Sequence, residues 1–372
     1  MSARVPAEVF PPGEFLREEL EAREWSQQEL ADILDRPPRL ISELIAGKRA
    51  VTPETAKGLA EAFGTSAEYW MSLESQYQLS KVKTEHSSVA RKANLYSKFP
   101  VREMLRRGWI QASENLDVLE QRFCDFFNIP TLQDHPSLTH YAKKTDVALD
   151  VTSLQLAWLF RVRLMADRQV ITSYKKEKLL AAVESLKNLL LSAEEIRHVP
   201  RLLAEAGVRL VFVEAISGSK IDGACFWLSE DKPVIGMTLR YDRIDNFWFV
   251  LRHEIEHVLR EDGRHSDTPI VDLDLGSADG ELDECEKLAN GAAQEFCVPV
   301  KQLNDFVSRV QPYFSEQKVI LFAQRIKVHP GIVVGQLQRK LERHDFLRKH
   351  QVKVRSFVLP SADADGWGSL SS

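Results

Sequence analysis

Apolar residues recur with different spacings along this chain, and each spacing predicts a different kind of element. Near the N-terminus, two short segments, 25–34 and 38–45, carry apolar residues on one helical face, and Gly47 follows the second. Between residues 153 and 204, leucines also recur at helical spacing. Further along, short apolar runs bounded by turn residues predict β-strands. We expect these strands at 208–213, 221–227 and 233–239. The pattern predicts an α+β protein that is predominantly helical, with an all-α N-terminal domain.

Two histidines lie four residues apart in the apolar segment that follows the strands. His253 and His257 come after the run 247–251, which is entirely apolar or aromatic. On a helix, residues four apart leave the same face about 6 Å apart along the axis. Buried histidines cost free energy unless they are hydrogen-bonded or bound to a metal. The spacing therefore predicts a zinc site, with Glu254 as the base that takes a proton from water. A pair of surface histidines is the alternative interpretation.

Catalytic zinc in a tetrahedral site needs a third protein ligand and one open position. The helix-like segment 283–297, which ends near Pro299, supplies several carboxylates. Glu284 and Glu286 are two residues apart, so on a helix only one of them can face the metal. We favour Glu286, although spacing alone leaves other candidates. They are Asp283, Glu284, Glu295 and His265.

These two segments together resemble the ImmA/IrrE family of zinc metallopeptidases. Members carry a His-Glu-x-x-His helix followed by a Glu-x-x-x-Asn helix rich in small residues. The resemblance implies a zincin-like α+β domain with a small sheet beside the motif helix. It places the third zinc ligand at Glu286 and gives Asn290 the role of orienting a ligand histidine. The segment 329–338 resembles a closing segment of the family, in which His329 is expected to stabilise the oxyanion. The alternative is that His329 caps a turn before Pro330.

The N-terminal segments predict a helix-turn-helix. Ser26, with Glu29 three residues later, has the spacing of a capping box, and a second short helix follows a turn. In such a pair the second helix enters the major groove of DNA. Over about residues 8–80 the chain resembles the HigA-type antitoxins of the XRE family of regulators, which implies an operator DNA partner and a homodimer. The segments that carry the resemblance are 12–20, 26–27, 40–44, 47–49, 52–53 and 68–70.

Charge complicates the DNA-binding prediction. Residues 1–80 hold 8 lysines and arginines against 14 aspartates and glutamates, whereas DNA-binding domains usually have a basic footprint. Affinity must therefore come from a local patch around the second helix. We expect Arg39 and Ser42 to face bases, Lys48 and Arg49 to face phosphates, and Arg36 to complete the patch. The alternative is a helical module used for dimerisation or for holding a partner protein.

The turn before the second helix departs from the family pattern. The family usually has a glycine and a small residue there, whereas this chain has Asp35-Arg36-Pro37-Pro38. Pro38 can begin a helix, but it removes a backbone donor that could hold a phosphate.

Composition bounds the remaining possibilities. The 372 residues have a formal net charge of −5, and no segment approaches 18 consecutive apolar residues. With no basic-then-apolar leader, we expect a cytoplasmic protein with no membrane partner. The four cysteines are too dispersed for a disulfide framework, and we expect Cys285 and Cys297 to pack as small apolar residues rather than bind zinc.

The sequence divides into four predicted segments. They are a helix-turn-helix domain at 1–80, a helical and partly basic connector at 81–204, a metallopeptidase domain at 205–345 and a tail at 346–372. The basic stretch 81–113 is a candidate source of further phosphate contacts. From Ser361 onward the tail is expected to be disordered.

We therefore expect a DNA-binding transcriptional regulator with a zinc-dependent endopeptidase domain. The ImmA/IrrE resemblance implies that it cleaves one regulatory protein, of the repressor or antitoxin class, in a stress, phage or toxin–antitoxin context. The alternative is a HigA-like antitoxin or repressor whose peptidase-like domain is a non-catalytic sensor or a toxin-binding module.

Overall fold

The structure, a computed structural model, describes residues 9–81, 86–136, 151–264, 270–273, 284–343 and 346–367. Contacts divide the chain into two compact units, Met1–Val89 and Ala90–Ser372. Most of the predicted connector thus shares a unit with the predicted peptidase domain, and the four-segment division remains a prediction. No helix in the described ranges is long and apolar enough to cross a membrane.

The first unit is all-helical. Its helices are α1 (Pro12–Ala22), α2 (Gln27–Ile33), α3 (Pro38–Ile45), α4 (Pro53–Phe63) and α5 (Ala67–Lys81). The predicted capping box is confirmed: the Glu29 amide donates to Ser26 Oγ at 3.2 Å, and the Ser26 amide donates to Glu29 Oε2 at 2.6 Å. Pro38 occupies the first turn of α3, where its missing N–H costs no helical hydrogen bond. Leu30 and Ile41 join α2 and α3 to a core that contains the fully buried Trp70.

The remaining helices begin at the boundary between the units and continue through the second unit. They are α6 (His86–Lys98), α7 (Val101–Arg106), α8 (Leu116–Phe127), α9 (Ser153–Asp167), α10 (Lys176–Lys187), α11 (Val199–Glu205), α12 (Ile244–Arg260), α13 (Glu284–Cys297), α14 (Val300–Val310), α15 (Glu316–Ile326), α16 (Pro330–Leu341) and α17 (Arg355–Val358). Short 3-10 helices lie at Ala193–His198, Arg348–His350 and Leu359–Ser361.

A small mixed sheet forms the centre of the second unit. Its strands are β1 (Arg209–Val213), β2 (Ile221–Trp227), β3 (Pro233–Met237), β4 (Ile270–Leu273) and β5 (Asp363–Asp365), in the order β4-β2-β3-β1-β5. Strand β1 is parallel to β3 and β5, and β2 is antiparallel to β3 and β4. The three strands expected from the sequence are confirmed, so the protein is mostly helical with a small mixed sheet.

Alternate residues of β1 enter two different cores, as the two-residue period of a strand requires. Leu210 and Phe212 join the core that contains α12, whereas Val211 and Val213 join the core that contains α9. The sheet therefore lies between two helical layers, and α12 packs directly on β2 and β3.

The expectation of disorder from Ser361 is wrong for residues 363–367. Asp363–Asp365 pair with β1 in the register Val211↔Asp363 to Val213↔Asp365. The buried Asp365 carboxylate accepts hydrogen bonds from the Trp109 indole, at 2.8 Å, and from the Arg161 guanidinium. A run of aspartate, alanine and glycine has no strand pattern of its own. These contacts with distant residues hold it in place.

Three arginines of the basic stretch at 81–113 form ion pairs within the second unit. Arg91 donates to Glu120 at 3.1 Å. Arg106 and Arg107 both pair with Glu103, and the hydrogen bond from Arg106 is the largest cause of a Glu103 pKa of about 2. These three arginines therefore have carboxylate partners in the absence of any phosphate.

The contacts of Asp365 lead to a test of the β5 assignment. Asp365→Ala removes the carboxylate and leaves a buried guanidinium and an indole N–H without their acceptor. We expect the free energy of unfolding to fall by about 3–5 kcal/mol, measured by denaturant or thermal unfolding. Asp363→Ala, at the exposed start of the same strand, removes a carboxylate that accepts a hydrogen bond from Gln169 at the surface; it is the control and should have a much smaller effect. Equal effects of the two substitutions would contradict the buried role of Asp365.

Candidate metal centre

Helix α12 carries both motif histidines on its core side. It ends at Arg260, because the next residue, Glu261, has a left-handed φ of 61°. Phe247, Trp248 and Leu251 bury the preceding turns in the core. His253 and His257 continue the buried stripe, and both are fully inaccessible to solvent. The two histidines thus share one face of the helix, as their spacing predicts, and that face is buried.

Glu286 on α13 meets both imidazoles. The two histidine Nε2 atoms are 3.0 Å apart, and the Glu286 carboxylate oxygens lie 3.2 Å from His253 Nε2 and 3.5 Å from His257 Nε2. Zinc bonds of about 2.0–2.1 Å in tetrahedral geometry require ligand atoms about 3.3–3.4 Å apart. The separation of the two ring nitrogens and the shortest approach of each ring to the carboxylate bracket that value, and one ligand atom from each residue lies within 4.8 Å of the others, so two imidazoles and one carboxylate fit a zinc ion.

The other candidate ligands that the structure describes lie elsewhere. Among the described residues, the cluster with metal-ligand geometry is His253, His257 and Glu286. Glu284 is exposed at the start of α13, and the Glu295 carboxylate accepts the Val300 amide at 2.9 Å near the other end. Asp283 and His265 fall outside the described residues.

Cys297 is buried among apolar residues, as expected for a cysteine that packs as a small apolar side chain. Burial raises the pKa of its thiol to about 12. The side chain is therefore a neutral thiol at physiological pH, whereas zinc binds the thiolate. Cys285, which precedes Glu286 on α13, is a free, half-buried cysteine outside the cluster.

The Glu254 carboxylate lies against the backbone of β2. It is fully buried, and its Oε1 atom is only 2.0 Å from the place where a Cβ would stand on Gly223. Any larger residue at position 223 would collide with this carboxylate. Gly223 therefore allows α12 to approach the sheet closely with Glu254 between them.

Asp262 is the residue that the sequence analysis missed. Its Oδ2 lies 3.0 Å from His257 Nδ1, the ring nitrogen opposite the one that faces Glu286. Asn290, predicted to orient a histidine, is half-buried on α13 and has no hydrogen bond to either ring among the described residues. The only sequence signal for Asp262 is an acid just beyond the motif helix, and its position depends on the chain reversal at Glu261.

His329 does not join the cluster. It is the N-cap of α16, where its Nδ1 accepts the Gly331 amide at 3.0 Å. Gly331 packs against Ile244, the first residue of α12. Ile244 lies nine positions before His253, a distance of about 13 Å along the helix. Burial lowers the His329 pKa, so the ring is a neutral acceptor at physiological pH. The structure thus supports the capping alternative for His329 and not the oxyanion role.

The predicted DNA-contact residues are all exposed in the first unit. They are Arg36, Arg39, Ser42, Lys48 and Arg49. Glu43 on α3 accepts a hydrogen bond from Arg39 Nε at 2.7 Å and lies 3.6 Å from Arg49. The hydrogen bond from Arg39 is the largest cause of a lowered Glu43 pKa. The patch is therefore less positive than its arginine content suggests.

Sequence comparisons cover the first unit. Residues 16–70 match the helix-turn-helix family model HTH_3. The HTH-type transcriptional regulator YddM of Escherichia coli is 33% identical over 70 residues, which are 19% of this chain and 74% of that protein. Virulence-associated protein I of Dichelobacter nodosus is 34% identical over 79 residues, which are 21% of this chain and 73% of that protein.

Comparisons with solved structures match about a fifth to a quarter of the chain. A HigA-family addiction module antidote protein from Coxiella burnetii is 36% identical, covers 19% of this chain and 79% of its own, and has a TM-score of 0.19. The antitoxin HigA of Pseudomonas aeruginosa, solved with the higBA promoter, is 30% identical, covers 24% of this chain and 90% of its own, and has a TM-score of 0.19.

The contact between Gly223 and Glu254 can be tested with matched glycine substitutions. Gly223→Ala places a methyl group on the Glu254 carboxylate and on Val250, so we expect a loss of about 1–3 kcal/mol in the free energy of unfolding. Gly291→Ala is the control, because nothing lies within 4 Å of that position on α13, and alanine should stabilise the helix by up to about 1 kcal/mol.

A double-mutant cycle assigns the Gly223 effect to Glu254. In a Glu254→Ala background the cost of Gly223→Ala should fall by at least about 0.5 kcal/mol, as expected for residues in contact. An unchanged cost would show that the two residues do not meet.

Proposed function

The chain belongs, through residues 16–70, to the helix-turn-helix family, and we propose that it is a DNA-binding transcriptional regulator whose second unit is a zinc-dependent endopeptidase. The observation that carries the enzymatic part is the cluster of His253, His257 and Glu286: the two Nε2 atoms are 3.0 Å apart, and the two Glu286 oxygens lie 3.2 and 3.5 Å from them. Glu254, the acid next to the first histidine, supplies a base at the same centre. From the ImmA/IrrE resemblance we propose a substrate of the repressor or antitoxin class.

The proposed centre has the His₂Glu ligand set of catalytic zinc sites. His253 and His257 offer Nε2 atoms from one helix, and Glu286 offers a carboxylate from the next, so the pairing of α12 and α13 forms the site. A bound zinc ion supplies Lewis acidity, which lowers the pKa of water and polarises a carbonyl group. Three protein ligands leave one coordination position for that chemistry.

Glu254 is held as the proposed general base. Its carboxylate is fixed between α12 and the backbone of β2, so it loses little further freedom when a substrate binds. We propose that it takes a proton from the attacking water and passes it to the leaving amine. Strand β4, next to β2 at the edge of the sheet, offers backbone groups along which an extended peptide substrate can align.

The first unit supplies the proposed DNA contacts. Arg39 and Ser42 lie on the exposed face of α3, the second helix of the motif, and Lys48 and Arg49 follow it. Glu43 holds Arg39 near Arg49 in the free protein. A phosphate or a guanine edge must compete with the Glu43 carboxylate for these arginines. The carboxylate therefore lowers the affinity for nonspecific DNA while it keeps the arginine side chains ordered.

Metal analysis and two motif variants test the enzymatic proposal. Purified wild-type protein should bind about one zinc per chain, and Glu286→Ala should lose it. Glu254→Gln should keep zinc and reduce hydrolysis of a peptide library by at least about 100-fold, because the base is lost while the ligands remain. Glu256→Gln is the control, since Glu256 pairs with Arg252 at 2.7 Å, and it should change neither property. Wild-type protein without zinc affinity would sink the proposal.

Salt-dependent binding to a duplex containing the protein's own promoter tests the regulatory proposal. Lys48→Ala should reduce the slope of log affinity against log salt by about 1, because one phosphate contact is lost. Arg39→Ala should weaken binding to that duplex by about 1–3 kcal/mol relative to a scrambled duplex. The control is Arg17→Ala, an exposed cation on α1. Equal effects of the three substitutions would refute the α3 interface.

A further inference from the structure

We propose that Asp262 is a positioning residue for the metal centre, which fixes the tautomer and orientation of His257. This inference rests on the zinc site proposed above. The His257 ring lies between two carboxylates: Nδ1 is 3.0 Å from Asp262 Oδ2, and Nε2 is 3.5 Å from Glu286 Oε1. One ring nitrogen is thus engaged outside the centre, while the other faces His253 and Glu286.

The chemistry of the two partners decides where the ring proton lies. An ionised carboxylate only accepts hydrogen bonds, and a neutral imidazole has a single N–H. When Asp262 accepts that N–H, the proton resides on Nδ1 and the lone pair of Nε2 points into the centre. Carboxylates that contact ligand histidines in this way also raise the basicity of the metal-binding nitrogen.

Backbone contacts place Asp262 where its carboxylate can accept the Nδ1–H of His257. After the left-handed residue Glu261, the Asp262 amide donates to the His257 carbonyl at 3.0 Å. The Asp262 carbonyl accepts the Trp227 indole N–H, also at 3.0 Å. Trp227 is the last residue of β2, the strand whose Gly223 lies against Glu254. Strand β2 therefore positions both Glu254, the proposed base, and Asp262, the residue proposed to orient His257.

Arg260 is the competing partner for the same carboxylate. Its Nε atom lies 3.6 Å from Asp262 Oδ2, farther than the histidine nitrogen, and its side chain is 36% exposed. A partly exposed ion pair at this distance contributes little to stability. If Asp262 serves only to pair with Arg260, then removing either side chain should have the same effect on metal binding, which gives a direct control.

Zinc affinity measured by competition with a chromogenic chelator tests the assignment on the full-length protein. Asp262→Ala should weaken zinc binding about 10- to 100-fold, the usual cost of losing a carboxylate behind a ligand histidine. Asp262→Asn keeps the size of the side chain and should give a smaller loss. Arg260→Ala should leave affinity within about twofold of wild type. Because the asparagine variant preserves the local shape, the test does not depend on the alanine variant folding.

The outcomes separate this inference from the proposal on which it rests. Wild-type protein that does not bind zinc overturns both. If the wild-type protein binds zinc but the Asp262→Ala and Asp262→Asn variants bind it with the same affinity as each other, the proposed role of Asp262 is overturned and the metal centre remains. Equal losses from Arg260→Ala and Asp262→Ala also overturn it, because they assign the effect to the ion pair.

Discussion

The burial of two imidazole rings on the core face of α12 is the constraint on which the second unit depends. Each ring nitrogen inside a protein needs a partner, since an unsatisfied buried polar group costs about 1–3 kcal/mol. The chain brings carboxylates to His257 from two directions, Glu286 from α13 and Asp262 from beyond the end of α12. The packing of α13 on α12 and the chain reversal at Glu261 bring these two carboxylates to the ring.

Residue spacing predicted the parts of the site that lie within single elements. The interval between His253 and His257 placed both rings on one face, and the apolar residues around them showed that the face is buried. Glu286 was chosen by family resemblance, because it lies on another helix and spacing left rivals. Asp262 was missed because its approach depends on one left-handed residue, which has no pattern in the sequence. The role expected for His329 was overridden by local geometry, since a histidine before Pro330 is well placed to cap α16.

The two units use acidic residues in different ways. In the first unit, Glu43 accepts from Arg39 and lies near Arg49, so a carboxylate moderates a basic surface. In the second unit, Glu286 and Asp262 are brought beside buried histidines, where ordinary solvent screening is weak and each charge acts strongly on its neighbours. Net charge alone therefore says little about either surface. The position of each acid relative to its partner determines what it can do.

The sheet cannot be completed until β5, near the end of the chain, has been synthesised. Its partner β1 ends at Val213, yet the paired residue Asp365 lies about 150 positions later in the chain. At about 5–20 residues per second, a ribosome takes roughly 8–30 s to cover that distance. During this interval one edge of β1 exposes unpaired backbone groups, which is the condition under which strands join those of other chains. The second unit is thus exposed to strand pairing with other chains until Asp365 forms its hydrogen bonds with Trp109 and Arg161.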